Sequence, residues 1–493
     1  MAEERFVVGI DSSTQSVKAI AWAPDGTPRA EGRAPHRISM PKPDHVEQNA
    51  EDWWTAAATA LRAVTAEIDA ERIDGIAISN QRETMVLLDH EHRPLAPATL
   101  WLDSRARAMT AVLAQEIGAD RIHATTGKPV SIIPCLYRLR YFREHQPELL
   151  DRAAHILSVH DFLTLKLTGQ AAASWTSADN FGIFDINRKE WATEILASLG
   201  IPLSKLPGLH RPGEQVGAVS AEAAEATGLR PGTPVFAAGG DGHCAGLGVG
   251  AVTPGVVYLN LGTAVVGGLW SPTAALSRSW RTLVSPTGEG FLLEACQRGG
   301  AYFVNWLLDT FGGGRSDPGI FEHLEAEASR LPVGSGGVMV CSYLLGCMDP
   351  HWDEDARATF TGMGPETGLG HLYRASLEAI TLEFARAIDQ MRAAKVDIER
   401  IVVIGGGAGS PLWLRMVADS TGLPVIRSLS NEASALGAGV TAAVGAGWYA
   451  DFRAALSAMA RVSERVEPAM ESRAAWQALS SRQALVYEKI KDL

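Results

Sequence analysis

Two short segments constrain this chain more than any other feature. The first runs from Val7 to Trp22: an apolar run, the break Asp11-Ser12-Ser13-Thr14-Gln15-Ser16, then apolar residues again from Val17. The second, Val256 to Val266, repeats the design, with Gly262-Thr263 as its break. Apolar runs this short, interrupted by small hydroxyl residues and glycine, predict strand, tight turn, strand. Such a turn presents backbone N–H groups and hydroxyls to an anion. One in each half predicts a duplicated fold with a phosphate held between the halves.

The length agrees, since 493 residues exceed what one core accommodates. The expected domains are 1–249 and 250–493. In the first, Pro24-Asp25-Gly26 turns the chain after the opening strand pair. A helix is expected over 50–70, where Trp53, Trp54, Ala57 and Leu61 fall at helical spacing. Ile73 to Ile78 and Met85 to Leu88 read as strands around the polar cluster Ser79-Asn80-Gln81-Arg82-Glu83-Thr84. Val235 to Ala238 is a buried strand that runs into a Gly-rich turn at Gly239-Gly240-Asp241-Gly242. The second half has a helix over about 370–394 and a strand Ile401–Ile404 leading into Gly405-Gly406-Gly407. From Asp451 onward the chain reads as Ala-rich helix, and Gly312 to Gly319 as an exposed loop. This is α/β architecture, with a mixed sheet and helices packed on it.

A net charge of −12 disfavours nucleic acid or an anionic membrane as partner. Five cysteines without regular spacing do not make a disulfide framework, and Met1 to Arg5 lacks the features of a signal peptide. No apolar run spans a bilayer, so a reducing cytoplasm is expected. His243-Cys244 and the Cys341/Cys347 pair lack metal-ligand spacing, and His160 reads as structural.

Several residues can carry chemistry. Asp11, beside the first hydroxyl turn, can hold Mg²⁺ directly or through water, and Lys18 follows on the next strand. Asp241 among glycines can accept a proton from a hydroxyl that attacks phosphorus; its plain alternative is an Asp in a tight turn. Arg82 and Glu83 can bracket vicinal hydroxyls or form an exposed pair of little consequence. Trp101 and Asp103 can add a wall and an acceptor. The Gly405-Gly406-Gly407 triplet lets a flat ligand approach the backbone, but it matches neither G-x-G-x-x-G nor a P-loop.

Taken together, these pieces resemble the FGGY family of carbohydrate kinases over nearly the whole chain. The most specific stretch is Ala358-Thr359-Phe360-Thr361-Gly362-Met363, then seven residues, then His371-Leu372-Tyr373-Arg374-Ala375-Ser376-Leu377-Glu378. Pro350-His351-Trp352-Asp353, Trp413 with Asp419, and Glu432 with Ala435-Leu436-Gly437-Ala438 stand in family order around it. The resemblance implies two actin-like (ribonuclease H-like) ATPase domains with a catalytic cleft between them. Sugar or polyol would sit mostly on the first domain and ATP on the second. It implies Asp241 as base, Asp11 as the Mg²⁺-ATP residue, and Thr14, Gly262 and Thr263 in the phosphate turns. Gly406 and Gly407 would lie near adenosine.

The chain departs from the family's usual pattern at Ser13, where Gly is common, and at Gly242-His243 after the base. Its acceptor motifs are mixed. Asn80 to Thr84 resembles the substrate segment of glycerol kinases. Asp11 to Ser16, and Val46-Glu47-Gln48 with Trp53-Trp54, resemble xylulokinases. The expected acceptor is therefore a pentulose, xylulose first, with glycerol as alternative. A non-catalytic actin-like, nucleotide-dependent sugar-binding switch is the reading from another class. Dimers are common among such kinases, but no segment marks an interface.

Overall fold

The computed structural model describes residues 4–315, 317 and 319–492. Met1 to Glu3, read above for signal-peptide features, and Ser316 and Pro318 of the Gly-rich loop lie outside the described residues. The strands of the two large sheets are numbered along the chain. The first sheet comprises β1 (Phe6–Ser12), β2 (Ser16–Trp22), β3 (Pro28–Pro35), β4 (Ile73–Asn80), β5 (Gln215–Ala218) and β6 (Pro234–Gly240). Its spatial order is β5-β6-β4-β1-β2-β3. Helix α1 (Ala50–Glu67) covers one face, with Trp53, Ala57, Leu61 and Val64 buried at the spacing the sequence predicts. Its N-terminus is capped by the Asn49 side chain, which accepts from the Glu51 N–H, and Glu51 and Asp52 favour the first turn. Helix α2 (Val159–Thr168) lies beside it, and α3 (Asp241–Gly248) follows β6.

The second sheet comprises β7 (Gly255–Leu261), β8 (Val265–Ser271), β9 (Arg281–Val284), β10 (Phe291–Gln297), β11 (Ile398–Ile404), β12 (Val425–Ser428) and β13 (Val462–Val466). Its order is β13-β12-β11-β7-β8-β10-β9. Helices α4 (Leu369–Ala393) and α5 (Pro411–Thr421) pack their apolar faces into its core, and α6 (Ala433–Gly445) follows β12.

The two sheets share one wiring. β1 pairs antiparallel with β2 and parallel with β4; β7 pairs antiparallel with β8 and parallel with β11. β6 lies parallel to β4 and antiparallel to β5, as β12 does to β11 and β13. The second sheet adds one strand, β9, at its far edge.

Chain halves and spatial units differ in one respect. Helix α6 of the second half buries Ala435, Leu436 and Val440 against Val7, Ile20, Trp22 and Phe236 of the first sheet. Helix α3 of the first half buries Ala245 with Tyr258, Val402 and Ile404 of the second sheet. The two helices meet where both are small: a Cβ on Gly437 would lie 1.9 Å from the Cys244 carbonyl oxygen. Two local expectations are corrected. The C-terminal stretch is interrupted by β13, an edge strand that pairs with β12, before the final helix Arg473–Ile490. Asp241 is not in a Gly-rich turn but is the first residue of α3, which follows β6 directly. Met85–Leu88 is a strand as expected, although it belongs to a separate small sheet with His155–Ser158 and His45–Gln48.

Candidate active site

A cavity of about 130 Å³ opens where the ends of β4 and β6 meet β8, β9 and β10. Arg82, Glu83, Trp101, Ile133 and Asp241 line it from the first half. Ala264, Val266, Arg281, Cys296, Gln297, Arg298 and Met348 line it from the second. The cavity is thus walled by both halves.

Arg82 and Glu83 are not an exposed pair. Both are buried, and each turns to a partner far away in sequence. The Arg82 Nε donates to Asp241 Oδ1 at 3.0 Å, and its Nη1 donates to both oxygens of Glu294 at 3.0 and 2.7 Å. Glu83 accepts from Arg281 Nη1 at 2.7 Å. Arg281 Nη2 reaches Glu294 as well, and the Tyr258 hydroxyl donates to Glu294 at 2.6 Å. Facing arginines push the Glu294 carboxyl far below its ordinary range despite complete burial. Of the carboxylates in this chain of charges, Asp241 is the accessible one: its side chain is 41% exposed against 0% for Glu294. It can meet an incoming hydroxyl, and the Gly242 N–H (2.7 Å) and Arg82 hold it in place.

The first hydroxyl turn is tied to this cavity through Trp101, which lines it. Thr14 of the first turn accepts from the indole N–H of Trp101 at 3.1 Å. Asp11, at the end of β1, accepts from Ser79 Oγ at 2.8 Å. Burial and the nearby Asp241 raise the Asp11 pKa to about 6. A carboxylate whose charge is resisted in this way is suited to a cation. Among the described residues no three His, Cys, Asp or Glu side chains converge on one point. The residues therefore fit an ion held by one or two carboxylates and by phosphate oxygens, the usual pattern for Mg²⁺.

The second turn lies between the cavity and a larger groove. Its Ala264 lines the cavity, while its Gly262 carbonyl accepts from the Ala301 N–H at 2.8 Å, and Ala301 lines the groove. Thr263, at the tip, is exposed. The groove measures about 760 Å³ and is bounded by Asn305, Glu325, Tyr373, Gly406, Gly407 and Ser410, among others. Gly406 has open space where a Cβ would be, whereas Gly405 adopts φ +85° and passes Asn260 too closely to carry one. The triplet therefore turns the chain tightly and leaves one bare backbone face.

Asp11, Thr14, Gly262 and Thr263 adjoin these spaces without lining them, and Asp103 and Lys18 are turned to other partners. Asp103 is fully buried, accepts from the Val46 N–H at 2.8 Å and pairs with Arg105, so it braces the loop that carries Trp101. Lys18 pairs with Glu432, at the start of α6, and at 3.6 Å with Glu31. Conversely, Arg281 and Glu294 went unnoticed in the sequence. Their signal was faint: one charged residue in each of two otherwise uncharged strands, Arg281–Val284 and Phe291–Gln297.

Residues 6–248 match the model of the FGGY family of carbohydrate kinases, N-terminal domain, and residues 257–446 match that of its C-terminal domain. This chain belongs to the FGGY family. It is similar to the xylulose kinase of Bacillus subtilis (strain 168), with 28% identity over 99% of this chain and 98% of that protein. It is also similar to the glycerol kinase of Aromatoleum aromaticum, with 31% identity over 94% of this chain and 95% of that one. The crystal structure of xylulose kinase from Rhodospirillum rubrum superposes with a TM-score of 0.92 at 27% identity, covering 99% of both chains. As an FGGY carbohydrate kinase the protein is a phosphotransferase with an alcohol group as acceptor, built on the two-domain, actin-like kinase fold. Among the described residues, no helix is long and apolar enough to cross a membrane.

Proposed function

We propose that this FGGY kinase transfers the γ-phosphoryl group of Mg²⁺-ATP to a hydroxyl of a pentulose, D-xylulose first. The observation that carries the acceptor site is the accessible Asp241 carboxylate, fixed by Arg82 at 3.0 Å within a small cavity shared by both halves. Residues 1–249 act as the acceptor half and 250–493 as the nucleotide half. Adenosine lies in the groove at Gly406 and Gly407, and the phosphates run over Gly262-Thr263 toward Thr14. Asp11 holds Mg²⁺, which supplies charge neutralisation on the phosphates. Asp241 takes the proton from the attacking hydroxyl. Arg82 and Glu83 orient the neighbouring hydroxyls, and Trp101 walls them in. Closure of the cleft excludes water, a competing nucleophile. Five buried, unpaired cysteines support a reducing cytoplasmic setting.

The naming of xylulose draws on the Asp11 to Ser16 motif and on the xylulose kinase relatives. Arg82 and Glu83 in the cavity, together with the glycerol kinase relative, favour glycerol as the second reading. Coupled ADP release across glycerol, erythritol, D-xylulose, D-ribulose, L-ribulose and L-xylulose decides between them. Strong D-xylulose turnover that vanishes in Asp241→Asn is the expected result. A preference for glycerol would select the second reading. ADP release indifferent to every acceptor would return the nucleotide-switch alternative.

A further inference from the structure

Three arginines border the acceptor cavity, which at first sight suits an anionic ligand. Their hydrogen bonds argue the opposite. Arg82 spends Nε on Asp241 and Nη1 on Glu294. Arg281 spends Nη1 on Glu83 and Nη2 on Glu294. Arg298 spends both terminal nitrogens on Glu354. The terminal forks of Arg281 and Arg298 are thus already turned to protein carboxylates, and Arg82 keeps Nη2 for one hydroxyl.

The charge balance points the same way. In the floor of the cavity the guanidinium groups of Arg82 and Arg281 face the carboxylates of Glu83, Asp241 and Glu294, an excess of one negative charge. The neighbouring ionisable groups do not offset it. Arg298 and Glu354 neutralise each other, as do Lys128 and Asp179, 3.9 Å apart behind the cavity. Burial pushes the Asp349 carboxyl well up, and Asp349 adds no positive charge. Glu294 and Arg281 are almost wholly removed from solvent, so charge is weakly screened around them.

We infer that the carboxylate excess of this floor, with Glu83 held against Arg281 as its specificity-determining residue, confines the acceptor to uncharged polyhydroxy compounds and shuts out sugar acids. The inference rests on the reading of this cavity as the acceptor site. Arg281 comes from β9, the strand by which the second sheet exceeds the first. An acid of the same carbon skeleton would bring a second unmatched negative charge beside Asp241, where the anionic phosphoryl group must also arrive. Selection by an unfavourable charge contact costs the neutral substrate nothing.

Xylitol and D-xylonate test this, because they differ only in exchanging a terminal hydroxymethyl group for a carboxylate. Their affinities are read by ligand-induced thermal shift and by competitive inhibition of ADP release. In the wild type, xylonate is expected to bind at least about tenfold more weakly than xylitol. Glu83→Gln removes the excess negative charge and frees Arg281 Nη1, and should narrow that gap about tenfold. Arg281→Gln should widen it. Loss of fold would weaken both ligands together, so opposite movements in the two variants exclude it. Xylonate binding as tightly as xylitol in the wild type would overturn the inference while leaving the cavity as acceptor site. An unchanged gap in both variants would overturn it too. Binding of neither ligand would instead remove the cavity from the acceptor role, and the inference with it. Preference for glycerol over D-xylulose would alter the proposed substrate and leave the xylitol-to-xylonate gap as the test.

Discussion

The two halves of this kinase are built on one plan and differ in the carboxylates they place at matching positions. β1 and β7 occupy the same place in their sheets, each followed by a tight turn and an antiparallel partner. The penultimate residue of the first is Asp11 and that of the second is Asn260. Asp11 sits beside Ser79 and Asp241, and its charge is resisted; Asn260 is neutral and packs under Gly405. The helices that leave β6 and β12 are likewise counterparts. Asp241 opens α3 with its side chain at the cavity, whereas Glu432 precedes α6 and is spent on Lys18. Of the two turns and two helix starts, those of the first half carry Asp11 and Asp241, close enough for the charge of one to act on the other.

That contrast can be broken experimentally. The largest expected effect is on Asp241. Asp241→Asn should lower kcat by about 10²–10⁴-fold with little change in nucleotide affinity, while Glu432→Gln should stay within about tenfold of wild type. Comparable losses in both would erase the asymmetry between the two helix starts. Next comes the contact between the two helices. Gly437→Ala drives a methyl group into the Cys244 carbonyl and should destabilise the protein by about 1–3 kcal/mol, seen as a lower urea midpoint. Gly406→Ala, with open space at that position, should leave the midpoint unchanged and weaken ATP binding.

A smaller effect concerns Asp11. Its pKa is raised from 3.8 to about 6, so the folded state holds the proton more tightly than the unfolded chain does. The resulting destabilisation is absent below the ordinary value and complete above about pH 6. Asp11→Asn should therefore raise the melting temperature of the ligand-free enzyme by a few degrees at about pH 8 and leave it unchanged near pH 3.5. Magnesium-dependent turnover should fall sharply in the same variant. The smallest effect is expected for the latch between Lys18 and Glu432, whose side chains are 14% and 35% exposed. A double-mutant cycle with Lys18→Met and Glu432→Gln should give a coupling of about 1 kcal/mol or less, reduced further by salt.

Much of the fold was legible because its signals are local. Strand, turn and helix periodicity marked β1, β2, β4, β6, α1 and α4 within a few residues of their ends. The short β13 was hidden among Ala-rich helical sequence, because an edge strand acquires its identity from the partner it pairs with. The candidate site was legible where a residue stands at a strand end, as Asp11, Arg82, Glu83 and Asp241 do. Asp103 misled because an acidic residue near Trp101 looks the same in sequence whether it faces a ligand or, as here, its own Arg105.

Periodicity, turn chemistry and ordered motifs were enough to establish a duplicated α/β kinase with two hydroxyl turns, since each depends on residues a few positions apart. The cavity depends on pairs such as Arg82 with Glu294 and Glu83 with Arg281, separated by 212 and 198 positions. Linear spacing contains no trace of such partners. They are selected when the two sheets dock through α3 and α6, because a buried charge must find its counter-charge in whichever strand the packing brings alongside.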